Sequence, residues 1–178
     1  ANGAGAGRNT TANIDIVTKQ DKQGIDIIVK PNTKKESVHI PVIISESGLE
    51  ECVYNDFYIG ENADVIIVAG CGIHNAGDSL SAHSGIHSFH IGKNAKVKYV
   101  EKHYGSGEGT GEKIMNPQTI VDIEEGGFLE METVQIKGID STKRSTKARL
   151  DRDAKIVITE KLMTHGNQYA ETSFDVDM

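Results

Sequence analysis

Apolar and polar residues alternate along most of the chain with a period close to two. Residues 13–17, 25–29 and 38–44 read NIDIV, IDIIV and VHIPVII. Such alternation is typical of β-strands, because successive side chains of a strand point to opposite faces. The chain lacks a strong amphipathic run of helical period. The pattern therefore predicts an all-β protein built from short strands and polar turns.

A sequence repeat becomes visible at Phe57. Four segments, FYIGENADVIIV, FHIGKNAKVKYV, VDIEEGGFLEME and ARLDRDAKIVIT, share one order of apolar, turn-type and small residues. They begin at residues 57, 89, 121 and 148, which are 32, 32 and 27 residues apart, and a fifth copy is expected from Phe174. A strand–turn–strand unit recurring at this interval is typical of a solenoid. We therefore expect a parallel β-helix with about 32 residues per coil.

The repeat also predicts the interior and the domain organisation. The expected inward residues of the first two copies are Phe57, Ile59, Ala63, Val65, Ile67, Phe89, Ile91, Ala95, Val97 and Tyr99. We expect residues 1–12 to form a flexible N-terminal tail and residues 13–178 to form a single β-helix domain. Because a new copy starts close to the last residue, the final coil is expected to be open, either as part of a fragment or as an edge that meets a partner.

The register brings a thiol and an imidazole together. In a parallel stack, equivalent residues of adjacent coils lie about 4.8 Å apart. The 32-residue offset places Cys71 beside His103, and His103 beside Gln135, with Lys102 and Glu101 close by. This setting is expected to favour the thiolate, which is the nucleophilic form of cysteine. The alternative is a small cysteine buried among apolar residues.

Histidines cluster between residues 74 and 103. Neutral imidazoles at this density can bind zinc or iron, and His74, His83 and His87 are the candidate ligands. Their spacing matches no strong metal motif. Alternation places His87 on the inward side of its strand and His90 on the outward side. A metal-binding module that uses this cluster with Cys71 is therefore one of the functions left open.

Composition narrows the class of protein. The 26 acidic residues outnumber the 19 basic ones, for a formal charge of −7, which disfavours nucleic acid as a partner. The basic stretch at residues 143–152 is expected to be a solvated face. Two cysteines are too few for a disulfide framework, so a reducing, cytoplasmic setting is expected. The longest apolar stretch, residues 65–69, is far shorter than a membrane span.

Several segments in order resemble the SufBD family of iron–sulfur cluster assembly scaffolds, and among them the short SufB-like members. They are GCGIHN (70–75), HSGIHSFHIGKNAKVKYVEKHYG (83–105), GEGTGEKIMNPQT (107–119), QIKGIDSTKR (135–144) and LMTHGNQ (162–168). The resemblance implies a right-handed parallel β-helix and a cytoplasmic scaffold that carries a transient iron–sulfur cluster. It implies that Cys71 accepts persulfide sulfur and that Lys102 and Tyr104 line a tunnel.

The resemblance also implies partners: a SufC-like ATPase, a second SufBD protomer in a homo- or heterodimer, and a sulfur-donating desulfurase system. The chain departs from the family because the later cysteine, the Glu/His group and the C-terminal helical segment of SufB lack counterparts here. Such a scaffold is not an enzyme in the turnover sense. A structural β-helix domain that dimerises through strand edges is the third function left open.

Overall fold

The computed structural model describes residues 1–2, 4–5 and 7–178, and these residues form β-strands without a helix. The strands are β1 (Ile14–Thr18), β2 (Gly24–Val29), β3 (Lys34–Ile44), β4 (Glu50–Ile59), β5 (Asp64–His74), β6 (Ser81–Ile91), β7 (Lys96–Ser106), β8 (Lys113–Met115), β9 (Gln118–Ile123), β10 (Phe128–Gln135), β11 (Ser141–Leu150), β12 (Lys155–Leu162) and β13 (Tyr169–Asp177). Within the described ranges, nothing helical is long and apolar enough to cross a membrane.

The chain winds between two sheets. The first sheet has the order β1-β2-β4-β6-β8-β11-β13, with β9 between β6 and β11, and the second has the order β12-β10-β7-β5-β3. Every described pair of neighbouring strands is parallel except β1 with β2. The protein is therefore a parallel β-solenoid of about five turns with roughly 30 residues per coil, which confirms the fold class expected from the sequence.

The register of the coils agrees with the repeat. Phe57 pairs with Phe89, Phe89 with Val121, and Val121 with Ala148, which are the predicted offsets of 32, 32 and 27 residues. The ten predicted inward residues of the first two copies are all buried. Phe57 stacks on Phe89 with ring centroids 4.4 Å apart, and Tyr99 meets the edge of this pair. These rings and the aliphatic residues around them form the main apolar core.

The repeat differs from the prediction at its two ends. Ala148 pairs with Val176, so the fifth copy lies two residues later than the start expected at Phe174. At the other end, Ile27 already pairs with Phe57, which makes β2 and β3 a further coil. A register shift between Lys34 and Glu36 interrupts the alternation of inward and outward residues along β3. This bulge explains why the repeat cannot be recognised there by pattern alone.

One corner of each coil is built from a residue in the left-handed region. Its backbone φ is 63° at Asn32, 56° at Asn62, 55° at Asn94, 68° at Gly126 and 59° at Asp153. Asparagine, aspartate and glycine are the residues that tolerate this conformation. The amide of each of the first four donates a hydrogen bond to a carbonyl of the next coil, as from Asn62 to Lys93 at 2.9 Å. The three turn-type residues of the repeat therefore set both the corner and the coil spacing.

Beyond the parallel coils, the N-terminal region covers one end. Strand β1 pairs antiparallel with β2 and buries Ile14 against the core. The Asn2 amide donates a hydrogen bond to the Ile43 carbonyl at 2.9 Å. Gly3 and Ala6, which belong to the expected tail, lie outside the described residues. The flexibility of residues 1–12 stays a prediction.

Candidate functional site

The interior of the solenoid is not uniformly apolar. Between the main apolar core and a smaller apolar cluster (Ile44, Cys71, Ile73, Met115 and Ile139), most inward positions are polar. We call these buried residues the polar core: Glu51, Asn55, His83, His87, Glu101, His103, Thr133, Gln135 and Arg144. They come from five strands of both sheets, so their contacts connect the two sheets across the interior.

The Glu101 carboxylate is the main acceptor of the polar core. The Tyr99 hydroxyl donates to its Oε1 at 3.0 Å, and Arg144 Nη2 donates to its Oε2 at 2.8 Å. His103 Nε2 lies 3.3 Å from Oε1. Glu101 is 1% exposed and Arg144 is 5% exposed, so both charges are held away from solvent. Buried charges are retained in proteins when they are paired and hydrogen-bonded, as here.

The Arg144 guanidinium also makes hydrogen bonds to other residues around Glu101. Its Nη1 contacts His103 Nδ1 at 3.2 Å, its Nη2 also donates to Thr133 Oγ1 at 3.1 Å, and its Nε donates to Glu160 at 3.1 Å. A guanidinium has no acceptor, so His103 Nδ1 must accept this hydrogen bond. The ring therefore carries its proton on Nε2, the atom that faces Glu101. The basic stretch expected on a solvated face thus contributes Arg144 to the interior.

Burial and charge displace the protonation equilibria of these groups. Burial alone would raise the pKa of Glu101, but His103 and Arg144 outweigh it and hold that pKa well below its usual range. Burial likewise opposes the charge of Arg144, and Glu101 outweighs it and raises the Arg144 pKa. Burial, followed by the negative charge of Glu101, raises the pKa of Tyr99 well above its usual value. Glu101 is consequently an ionised carboxylate inside the protein.

A directed chain of hydrogen bonds connects His87 to Glu101. The Ile25 amide donates to Asn55 Oδ1 at 3.3 Å, which leaves the Asn55 Nδ2 group to donate to His87 Nε2 at 3.4 Å. The Tyr99 hydroxyl donates its one proton to Glu101. Its oxygen therefore accepts the hydrogen bond from His87 Nδ1, at 2.7 Å. Burial lowers the pKa of His87 to about 4.

His83, the other inward histidine of β6, contacts Glu51. Its Nδ1 lies 3.0 Å from Glu51 Oε2, and Gln23 donates to the other carboxylate oxygen at 3.0 Å. His83 is 2% exposed. His83 and His87 both point inward from β6, whereas His90 points outward and stacks on Tyr58, as alternation predicts.

Cys71 lies where the polar core meets the smaller apolar cluster. It pairs in register with His103, and His103 pairs with Gln135, as the sequence predicts. The expectation that this setting favours the thiolate is wrong. Burial, followed by the negative charges of Glu101 and Glu51, raises the pKa of the Cys71 thiol well above its usual value. Cys71 is 3% exposed, whereas Cys52 is exposed.

Two of the expected supporting residues lie on the other face of the sheet. Lys102 and Tyr104 are exposed, because they alternate with the inward residues Glu101 and His103. They therefore line no interior tunnel, and Lys102 does not approach the Cys71 thiol from inside. The Tyr104 ring instead covers the backbone of Gly72 on the outer surface.

The structure separates one of the three expected metal ligands, His74, from the other two. His74 is exposed at the end of β5, where its Nδ1 contacts Ser106 at 3.1 Å. His83 and His87 lie together in the polar core. Among the described residues, no group of three or more His, Cys, Asp or Glu side chains is placed to hold a metal.

Sequence reasoning missed Glu51 and Asn55, and it placed Arg144 on the surface. The alternation of inward and outward residues along each strand nevertheless indicates these three positions. Counting back in steps of two from the inward Phe57 reaches both Asn55 and Glu51, and counting back from Ala148 reaches Arg144. Extending the parity of a confirmed strand through its polar residues would therefore have found all three.

Comparison of this chain with protein-family models, curated proteins and solved structures found no match.

We predict that Glu101→Gln destabilises the protein, because it leaves Arg144 buried without its counter-charge. The expected loss in the free energy of unfolding is about 3–5 kcal/mol, the range for breaking a buried ion pair. Chemical denaturation followed by circular dichroism measures it. The matched control is Glu132→Gln, which removes an outward carboxylate of the neighbouring β10 that pairs with Lys161 on the surface. Equal stability of Glu101→Gln and wild type would contradict the buried pair.

We also predict that His87 contributes to the loss of stability in acid. The unfolded imidazole binds a proton below pH 6.5, whereas the folded one does so only near pH 4. Unfolding therefore takes up one proton in this window, and stability falls as pH falls. His87→Gln should reduce the slope of unfolding free energy against pH by up to about 1.4 kcal/mol per pH unit.

The measurement is denaturant unfolding of metal-free protein between pH 4 and pH 8. Near pH 8 the His87 imidazole is almost entirely neutral in both states, so the two proteins should show nearly the same slope there. Identical slopes throughout the range would mean that His87 titrates alike in the folded and unfolded states.

Proposed function

We propose that this protein is a scaffold for iron–sulfur cluster assembly of the SUF type, on which Cys71 accepts sulfur from a protein persulfide. Two things support the proposal: the resemblance to the SufBD family, which the segments quoted between residues 70 and 168 carry, and the position of Cys71. The single observation that carries it is the juxtaposition of a buried thiol with the His103, Glu101 and Arg144 group in adjacent coils.

The burial of Cys71 suits the storage of sulfane sulfur. The outer sulfur of a persulfide is removed by any thiol that can attack it, so a persulfide lasts longer where solvent thiols cannot enter. With 3% exposure and a raised pKa, the resting thiol stays protonated and unreactive toward small molecules. Only a donor that binds the protein and gives access to this position would deliver sulfur.

The transfer is a thiol–persulfide exchange. The Cys71 thiol gives up its proton, and its sulfur attacks the outer sulfur of the donor persulfide. The donor S–S bond breaks as a new S–S bond forms on Cys71, and the released proton ends on the donor thiol. The step needs no external oxidant or reductant, because the sulfane sulfur moves with its oxidation state unchanged. The buried guanidinium of Arg144 favours an anionic sulfur at Cys71.

The other parts of the proposal follow from the resemblance. The sulfur donor would be a cysteine desulfurase system, and the cluster itself would be cargo rather than a resident cofactor. A SufC-like ATPase and a second SufBD protomer would complete the assembly in the cytoplasm. The protein would then act by holding and passing on sulfur, without catalysing a turnover reaction of its own.

The experiment is sulfur loading of the full chain by a cysteine desulfurase supplied with cysteine. Three proteins are compared: wild type, Cys71→Ser and Cys52→Ser. After removal of the donor, intact mass and cyanide-labile sulfur are measured. We expect wild type and Cys52→Ser to retain one added sulfur atom and Cys71→Ser to retain none.

Alkylation of the folded protein by iodoacetamide provides the control for accessibility. Because Cys52 is exposed and Cys71 is buried, Cys52 should be modified first, and Cys71 only as the coil opens. Stable sulfur on Cys52 alone, or no retained sulfur in the folded wild-type protein, would refute the proposed role of Cys71.

A further inference from the structure

The His83 side chain has a buried nitrogen without a hydrogen-bond partner. Within the described part of the chain, only His83 Nε2 and Gln135 Oε1 are side-chain atoms in this condition. His83 Nδ1 faces the Glu51 carboxylate, which can only accept, so Nδ1 carries the proton and Nε2 presents a lone pair. An unsatisfied polar atom in the interior destabilises the folded protein, so a ligand at this atom is expected.

The space in front of this nitrogen is formed by a glycine. His83, Gly85 and His87 occupy successive inward positions of β6. A β-carbon built on Gly85 would lie 3.5 Å from His83 Nε2 and 3.0 Å from His87 Nε2. The two nitrogens therefore converge on the space over Gly85, which any larger residue would fill. The long contact of 3.4 Å from Asn55 to His87 Nε2 is weak enough to be displaced.

The other nitrogen of each ring is held as in a metal ligand. Metal-bound histidines usually donate their remaining N–H to a carboxylate or another acceptor, which fixes the ring and raises its basicity. His83 Nδ1 faces Glu51 directly, and His87 Nδ1 donates to Tyr99, which in turn donates to Glu101. The hydrogen bonds to Glu51, and through Tyr99 to Glu101, therefore fix both rings with their Nε2 lone pairs toward the same space.

The charge of the polar core also favours a cation. Among the described residues, the polar core holds the carboxylates Glu51 and Glu101 and one guanidinium, Arg144, which also pairs with the neighbouring carboxylate of Glu160. Arg144 neutralises one of these three negative charges. Among the described residues, the ion pairs of Glu51 involve His83 and neither a lysine nor an arginine. A divalent cation near His83 would compensate the remaining charge.

We propose that His83 and His87 bind one borderline-soft divalent transition-metal ion, such as Zn²⁺, through their Nε2 atoms over Gly85. Imidazole nitrogens suit zinc and its neighbours in the first transition series. Since no third acidic, cysteine or histidine side chain among the described residues completes a group, water or another small ligand fills the remaining positions. The site stands apart from the sulfur-accepting role of Cys71.

A cavity lies beside two residues that contact the imidazoles. A cavity of about 860 Å³ opens between β1, β2 and β3 at the N-terminal end of the solenoid. Its lining includes Glu51 and Asn55, which contact His83 and His87 respectively. Glu51 and Asn55 therefore lie between this cavity and the two imidazoles.

The test is titration of the chelator-treated full chain with Zn²⁺ by calorimetry and with Co²⁺ by visible absorption. We expect one equivalent to bind at the site, with a Co²⁺ spectrum of nitrogen ligation. Zn²⁺ should shift the NMR signals of the His83 and His87 rings, a readout that needs no variant. His83→Gln should weaken binding at least tenfold, and Gly85→Ala should also weaken it because its methyl group occupies the space.

His74→Gln and His90→Gln are the matched controls, because both remove exposed imidazoles of the same cluster and should leave binding unchanged. Cys71→Ser should also keep the metal, which separates this site from sulfur transfer. Folding of each variant is checked by circular dichroism. The proposal is overturned if wild type binds no equivalent, so that only water occupies the space. It is equally overturned if the ring signals of His83 and His87 stay fixed while exposed histidines respond.

Discussion

The Glu101 carboxylate holds a full charge inside the solenoid, and the arrangement of the polar core follows from the need to compensate it. Tyr99, His103 and Arg144 all direct donors toward this one group. Because Glu101 belongs to β7 in one sheet and Arg144 to β11 in the other, the ion pair also joins the two walls of the coil. Removing either partner leaves the other as an uncompensated buried charge, which ties the chemistry of the interior to its stability.

Coil register makes such an interior possible. Each inward position repeats at the next coil, so the inward residues form columns that run along the solenoid. Phe57 and Phe89 form the apolar part of this stack, while Cys71, His103 and Gln135 form a column at its polar boundary. The corner residues in the left-handed conformation keep these columns aligned from one coil to the next.

Much of the fold could be predicted because the alternation of residues along each strand and the spacing of the repeats can be read from the sequence. The offset placed Cys71 beside His103 correctly, and it identified the buried aromatic residues. Two effects escaped it. Lys102 and Tyr104 lie on the outer face because they alternate with the inward Glu101 and His103, and the coil offset alone does not distinguish the two faces. The protonation of Cys71 depends on burial and on nearby carboxylates, which are three-dimensional quantities that spacing along the chain does not contain.

The account rests on an ionised Glu101 in the interior, and the carboxyl carbon signal of Glu101 in ¹³C NMR tests it most directly. The signal is assigned by its absence in a variant that lacks this carboxylate, and then followed as the pH of the folded protein is lowered. We expect it to keep the shift of a carboxylate well below the usual pKa of glutamate, about 4.3. A titration of Glu101 at or above that value, with the protein still folded, would contradict the account.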